Sequence, residues 1–288
     1  MRFEKWQALG NDYLVVERDA LPFALTPGRV RRLCDVHTGV GSDGVLELSP
    51  PDEEGFVARL RIFNPDGSEA ELSGNGAREA VLYLRRAGWT DQRQFSIQTM
   101  AGEIRPTILD DRTCALDMGR ARLQSEDFPG GPADGRTELD AAGRMWGIQH
   151  VQVGNPQCAI HVHSVAEVEA LDLRVIGPAI ERHPAFPNRT NTSFYAEVDE
   201  TTIRARIFER GVGETSASGT GACGAAIAHV LRGGDAPVRV LLDGGELVVD
   251  VDESLHFTLT GWAVPVFAGE LSPELVRELG AEDDGAPS

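Results

Sequence analysis

The chain has 288 residues, 41% of them apolar, and a formal net charge of −18. That length suffices for two domains with real cores, and the acidic balance argues against nucleic-acid binding, which needs basic patches to displace counterions. No run of about 18 apolar residues reads as a membrane span, and the start, Met1-Arg2-Phe3-Glu4-Lys5-Trp6, lacks the apolar core of a leader peptide. A cytoplasmic protein is therefore expected. Cys34, Cys114, Cys158 and Cys223 show no CxxC spacing and read as buried thiols without disulfides.

In chain order, Gly10-Asn11 leads into the apolar run Leu14-Val15-Val16. Alternating segments predict strands over Ala58–Phe63 and Gln94–Thr99, with a helix over Ala77–Ala87 between them that stops at Gly88. Further on, Gly154-Asn155 leads into Cys158-Ala159-Ile160. Strands follow at Thr202–Phe208, Val238–Leu242, Glu246–Val251 and His256–Leu259, and a helix at Ala222–Leu231 stops near Gly233. Residues 282–288 read as a frayed acidic tail.

These elements repeat. Arg59-Leu60-Arg61-Ile62-Phe63, nine residues, then Ser73-Gly74-Asn75-Gly76-Ala77 is answered by Arg204-Ala205-Arg206-Ile207-Phe208, nine residues, then Ser218-Gly219-Thr220-Gly221-Ala222. The offset is 145, it is 144 at Gly10-Asn11 and Gly154-Asn155, and it has drifted to 142 by Met118-Gly119 and Thr260-Gly261. Small insertions in loops explain such drift. The chain therefore reads as two related lobes, 1–122 and 123–264, the first completed by 265–281. The expected class is α+β, each lobe a mainly antiparallel sheet or barrel around one central, largely apolar helix.

Each Ser-Gly-x-Gly-Ala lies at a helix N-terminus, where the first N–H groups lack partners and carry about half a positive charge. Such a terminus takes a carboxylate or phosphate; the plainer alternative is that each serine only caps its helix. Gly219-Thr220-Gly221-Ala222-Cys223-Gly224 formally matches a dinucleotide fingerprint, but the polar run Glu214–Ser218 stands where a strand would have to precede it. His161 and His163 share one strand face without a third ligand, so no metal site is expected, and no G-x-S-x-G elbow marks a hydrolase.

Longer motifs carry a family resemblance. Leu9-Gly10-Asn11-Asp12-Tyr13, Asn64-Pro65-Asp66-Gly67-Ser68-Glu69, Gly74-Asn75-Gly76-Ala77-Arg78, Gly154-Asn155-Pro156, Asn191 and Glu209-Arg210-Gly211-Val212-Gly213-Glu214-Thr215 resemble diaminopimelate epimerases over nearly the whole chain. The resemblance implies two pseudo-symmetric lobes with the active site in the cleft between them, no pyridoxal phosphate or other cofactor, diaminopimelate as the small-molecule substrate, and often a homodimer. It implies interconversion of the LL and meso forms by proton removal at the α-carbon on one face and proton return on the other, on the route to lysine and peptidoglycan. Asn11, Asn64, Asn155, Asn191, Glu209 and Arg210 match substrate-gripping positions. Gly74, Asn75, Gly219 and Thr220 match the loops that hold the reacting carboxylate.

The proton-transfer positions depart from the pattern. The family carries cysteine where this chain has Ser73 and Ser218, and histidine where it has Gln157. A thiol titrates near 8.5, whereas a hydroxyl lies roughly five units higher, which at 1.36 kcal/mol per unit is about 7 kcal/mol. Ordinary two-thiol chemistry is therefore expected to be slow or absent. Three readings follow from the sequence: an epimerase working with serines and a carboxylate, with Glu209 activating Ser73; a diverged lyase or isomerase of the same superfamily; and a non-catalytic amino-acid binder.

Overall fold

The computed structural model describes residues 1–281; the acidic tail lies outside the described residues. In chain order the first half contains β1 (Arg2–Ala8), β2 (Asn11–Glu17), α1 (Pro27–Cys34), β3 (Val45–Ser49), β4 (Ala58–Phe63), β5 (Glu69–Ala70), α2 (Gly74–Arg86), β6 (Ile97–Thr99), β7 (Gly102–Ile108) and β8 (Thr113–Arg120). The second half contains β9 (Arg136–Ala141), β10 (Arg144–Gln152), β11 (Pro156–His161), α3 (Val165–Ala170), α4 (Leu173–Glu181), β12 (Asn191–Asp199), β13 (Thr202–Glu209), β14 (Gly213–Thr215) and α5 (Gly219–Leu231). It closes with β15 (Val238–Leu242), β16 (Gly245–Val251), β17 (His256–Trp262), β18 (Val264–Glu270) and α6 (Pro273–Ala281). The chain divides into two compact units: Met1–Leu116 with the described residues from Trp262 onward, and Asp117–Gly261.

Within the first unit β1 pairs antiparallel with β2, β2 parallel with β3, β3 antiparallel with β4, β4 antiparallel with β5 and parallel with β6, and β6 antiparallel with β7. The second unit repeats this pair for pair with β10, β11, β12, β13, β14, β15 and β16. Even the outer strand has its counterpart, β18 on β1 and β9 on β10. Parallel neighbours need a crossover, and helices supply it: α1 between β2 and β3, α2 between β4 and β6, α3 with α4 between β11 and β12, and α5 between β13 and β15.

The repeated arginines on β4 and β13 fix the hairpin that follows each strand. Arg61 reaches Glu69 through Nε at 2.9 Å and Nη2 at 2.8 Å, and Arg206 reaches Glu214 through Nε at 2.9 Å. Both forks thus tie the strand to the short β5 or β14 that leads into the serine loop. Apolar side chains on the same sheet faces as these arginines contribute to the cores. Leu14, Val16, Val30, Leu33, Val45 and Phe63 close the first unit, and Trp146, Cys158, Ile160, Phe194, Leu173 and Ile180 close the second.

Both helices begin three residues earlier than the sequence predicts, at Gly74 and Gly219. Glycine is a poor helix former, but in the first turn it loses little when the preceding serine supplies the cap. Gly88 and Gly233 beyond the C-termini have φ of +79° and +103°, the left-handed geometry that favours glycine. The strand predicted over 94–99 is shorter, β6 at 97–99 with one isolated bridge from Gln94 to Thr107. Its partner β7 contains Pro106, which has no N–H to extend the ladder. Among the described residues no helix is long and apolar enough to cross a membrane.

The four cysteines are buried and carry no disulfide. Burial pushes the Cys114 thiol up to about 12 and raises Cys158 further; it also raises Cys34, against a hydrogen bond from Ser42. In the native protein at pH 8 the four thiols are expected to react with a thiol-specific chromophore far more slowly than a model thiol, and all four are expected to react at once in guanidinium. Rapid native labelling of any of Cys114, Cys158 or Cys223 would contradict this packing.

Candidate functional site

The first unit gathers its candidates at the N-terminus of α2. Ser73 is extended, with φ −129° and ψ 121°, and its Oγ accepts the N–H of Gly76 at 3.1 Å. The plainer reading of the serines, helix capping, is therefore what the geometry contains. The cap takes only the third N–H of the helix, which leaves those of Gly74 and Asn75 without an intrahelical partner. Tyr13 Oη donates to Ser73 Oγ at 3.2 Å.

Asn75 is held from two sides. Its Nδ2 donates to Asn11 Oδ1 at 3.2 Å, and its Oδ1 accepts from Arg78 Nη2 at 2.6 Å. Arg78 is fully buried and also donates to Gly74 O at 3.0 Å, so one guanidinium braces both loop residues. Asn11 in turn donates to Asp43 at 2.9 Å. Asn64 follows β4 and lies in its own turn, bonded to Ser68 through Nδ2 at 2.9 Å and through its backbone N–H at 2.8 Å. No hydrogen bond among the described residues links Asn64 to Ser73.

The second unit repeats the arrangement with different chemistry. Ser218 caps α5 through Gly221 N at 3.2 Å, leaving the N–H groups of Gly219 and Thr220. Its hydroxyl donates to Glu209 Oε2 at 2.9 Å. Glu209 therefore serves the serine of its own unit, whereas the sequence reading assigned it to Ser73. Both attributions start from the register of Glu209 with Asn64 at the end of the repeated strand; what the register does not contain is the rotamer that turns the carboxylate back toward α5. Burial raises the Glu209 carboxyl above the ordinary glutamate value, while Thr215 and Ser218 pull the other way.

Asn155 Nδ2 donates to Thr220 Oγ1 at 3.2 Å, the counterpart of the Asn11–Asn75 link. Gln157 donates to Asn155 Oδ1 at 2.6 Å and is fully buried. Its Oε1 has no hydrogen-bond partner among the described residues. The Gln157 stem explains the third glycine of the apparent dinucleotide fingerprint: a Cβ on Gly224 would stand 2.7 Å from Gln157 Cβ. Asn191 accepts the Arg210 backbone N–H at 2.8 Å and donates to Pro156 O at 3.2 Å, and Arg210 donates to Asn188 O at 3.0 Å. Buried Glu181 takes the neighbouring Gly211 N–H at 2.9 Å, holding this loop from below.

Sequence reasoning left Tyr13, Arg78, Asp43, Glu79 and Glu181 out of the site. Two of them carried a signal. Arg78 stands just before the apolar run Ala80-Val81-Leu82, and Tyr13 lies 144 residues before Gln157, the same offset that relates Asn11 to Asn155. Glu79 is the register mate of Gly224, and it is fully buried on α2. Burial raises its carboxyl well above the ordinary value; the charge of Arg78 opposes this, Asp12 and Asp43 add to it, and the Tyr13 N–H opposes it weakly.

Because the folded value is raised, the native state of Glu79 holds its proton at a pH where the unfolded chain has lost it. Its contribution to stability is thus full below the unfolded value near 4.5 and is lost as pH rises through the folded one. Glu79→Gln is expected to be more stable than the parent at pH 7 to 8, with the gap closing toward pH 4, as measured by chemical denaturation. A gap independent of pH would contradict a protonated Glu79.

A model of the diaminopimelate epimerase family matches residues 3–124 and 149–265. The diaminopimelate epimerase of Synechococcus sp. (strain JA-3-3Ab) is 41% identical over 278 residues, covering 93% of this chain and 97% of that protein. That of Paraburkholderia xenovorans (strain LB400) is 41% identical over 284 residues, covering 94% and 98%. Among solved structures, a phenazine biosynthesis protein of Bacillus anthracis aligns with TM-score 0.68 at 20% identity, over 94% of this chain and 99% of that one. A probable proline racemase from Agrobacterium radiobacter K84 aligns with TM-score 0.67 at 16% identity, over 96% and 95%. At these identities the structural likenesses show the fold: two pseudo-symmetric lobes of mixed α+β structure.

Proposed function

Because this chain belongs to the diaminopimelate epimerase family, we propose that it interconverts LL- and meso-2,6-diaminopimelate by moving a proton off and onto the α-carbon, with Ser73 and Ser218 at the two proton-transfer positions. It is a cofactor-independent amino-acid epimerase. The observation that carries the serine mechanism is the 2.9 Å hydrogen bond from Ser218 Oγ to Glu209.

An isolated alkoxide would lie about 7 kcal/mol above a thiolate at the same position. The Ser218–Glu209 pair avoids it. As Ser218 Oγ takes the α-proton, its own proton passes to Glu209 Oε2; the Cα–H bond breaks, an Oγ–H bond forms, and the electron pair spreads from Cα into the α-carboxylate. A carboxyl raised by burial is better matched to holding that proton than an ordinary glutamate. The free N–H groups at the helix N-termini stabilise the charge that develops on the carboxylate. Asn11, Asn75, Asn155 and Thr220 orient the reacting end. Arg210, whose guanidinium suits bidentate carboxylate binding, Asn191 and Asn64 take the distal amino-acid end. Gln157 holds Asn155 in place and does not titrate.

Incubation with LL-diaminopimelate in heavy water is expected to place deuterium on the α-carbon and to form the meso isomer. Glu209→Gln is expected to slow label entry by about 10²- to 10⁴-fold. In the parent, the acid limb of the rate is expected to lie above the ordinary glutamate range, since the base must be ionised and its value is raised. Label entry that survives Glu209→Gln unchanged would remove the carboxylate from the mechanism.

A second measurement addresses the missing thiols. Ser73→Cys, Ser218→Cys and Gln157→His combined are expected to raise epimerisation by orders of magnitude over the parent. If the triple variant is no faster, the hydroxyls are not what limits the rate.

A further inference from the structure

We infer that Tyr13 is a positioning residue that fixes Ser73 as the proton donor in the direction in which Ser218 takes the α-proton, an inference that rests on the epimerase reading above. The two serines occupy the same register and cap their helices alike, yet their remaining hydrogen bonds run in opposite senses. Ser218 donates its proton to Glu209 and accepts from Gly221, which leaves its other lone pair open to receive a proton. Ser73 accepts twice, from Gly76 N–H at 3.1 Å and from Tyr13 Oη at 3.2 Å.

A phenol is a far stronger acid than an aliphatic alcohol, so in a Tyr–Ser pair the phenol is the donor. With both Ser73 lone pairs engaged, its own O–H is the group left to point away from the protein. Among the described residues no acceptor is bonded to it. The same bond acts through the reaction: as Ser73 gives up its proton its oxygen becomes negative, and a donor already in place strengthens into a charge-assisted hydrogen bond.

The surroundings are shaped for this ring. Tyr13 is on β2 at the register of Gln157 on β11, so each unit presents one side chain from the same strand position to its helix terminus. Gly44 makes room for it, since a Cβ there would stand 2.6 Å from Tyr13 Cε1. In the second unit Gln157 turns to Asn155 instead, and Glu209 takes the serine. The duplication has thus produced one hydroxyl set to give a proton and one set to receive it.

The test is Tyr13→Phe, followed in heavy water from each isomer, reading inversion and α-deuterium entry without inversion separately. The expected result is that inversion falls about tenfold or more in both directions while exchange persists in the isomer that loses its proton to Ser218. Tyr83→Phe, which removes a phenol on α2 bonded to Glu17 of β2, is the control and is expected to leave both rates unchanged. If Tyr13→Phe lowers thermal stability, 4-aminophenylalanine at position 13 keeps an N–H donor on the same ring and is expected to restore the ratio. Inversion and exchange falling together, or neither falling, would overturn the assignment. A parent with neither inversion nor exchange would instead overturn the epimerase reading, and Tyr13's role with it.

Discussion

A serine oxygen accepting the third N–H of a helix is the interaction on which each unit is organised. It sets where α2 and α5 begin, and therefore which amides are capped and which have no intrahelical partner. Moving either cap by one residue would rotate Gly74-Asn75 or Gly219-Thr220 away from the direction in which the helix end projects. The asparagines on the opposing turn then fix the loop laterally, Asn11 to Asn75 and Asn155 to Thr220, each at 3.2 Å. Capping and catalysis are not rival descriptions of these hydroxyls. A cap uses one lone pair and leaves the proton and the second lone pair for other work.

What the duplication preserves and what it varies separate cleanly. The helix caps, the crossover helices, the strand pairings and the arginine–glutamate forks on β4 and β13 recur at matched positions. The side chains at three other matched positions do not: Tyr13 against Gln157, Asn64 against Glu209, Glu79 against Gly224. These changes are coupled through volume. Gln157 lies flat on α5 because Gly224 lacks a side chain, whereas the first unit puts a carboxyl at that helix position and an aromatic ring on the strand. An invariant frame with variable fillings lets one fold hold two chemically different half-sites.

Much of this was legible in the sequence because the repeat gave every local signal twice. Serine, glycine and the alternating Arg-x-Arg strand located both helix termini. Three kinds of information were not there. Helix starts were placed late because glycine reads as loop until its cap is known. The β6 strand was drawn too long because Pro106 acts from the neighbouring strand. Partners were mistaken where a register gives position and not rotamer, as with Glu209. Arg78 shows the same limit differently: an arginine at 0% exposure in a helix reads as an anomaly until Asn75 and Gly74 O stand beside it.

The energetics of the serine pair explain why a carboxylate must be close. A hydrogen bond to a charged group contributes about 1.5–3 kcal/mol, and a helix N-terminus in a partly buried setting up to about 2 kcal/mol. Together these fall short of the roughly 7 kcal/mol by which an alkoxide exceeds a thiolate. Static stabilisation therefore cannot turn Ser218 into a substitute thiolate, and only removal of its proton as the new one arrives can do so. In the proposed mechanism that proton goes to Glu209 Oε2, which accepts the Ser218 hydroxyl at 2.9 Å. Ser73 already carries the proton it must give, and the hydrogen bond from Tyr13 offsets part of the charge left behind. The loss of two thiols thus asks different things of the two units, and the two units differ in the partner each offers its serine.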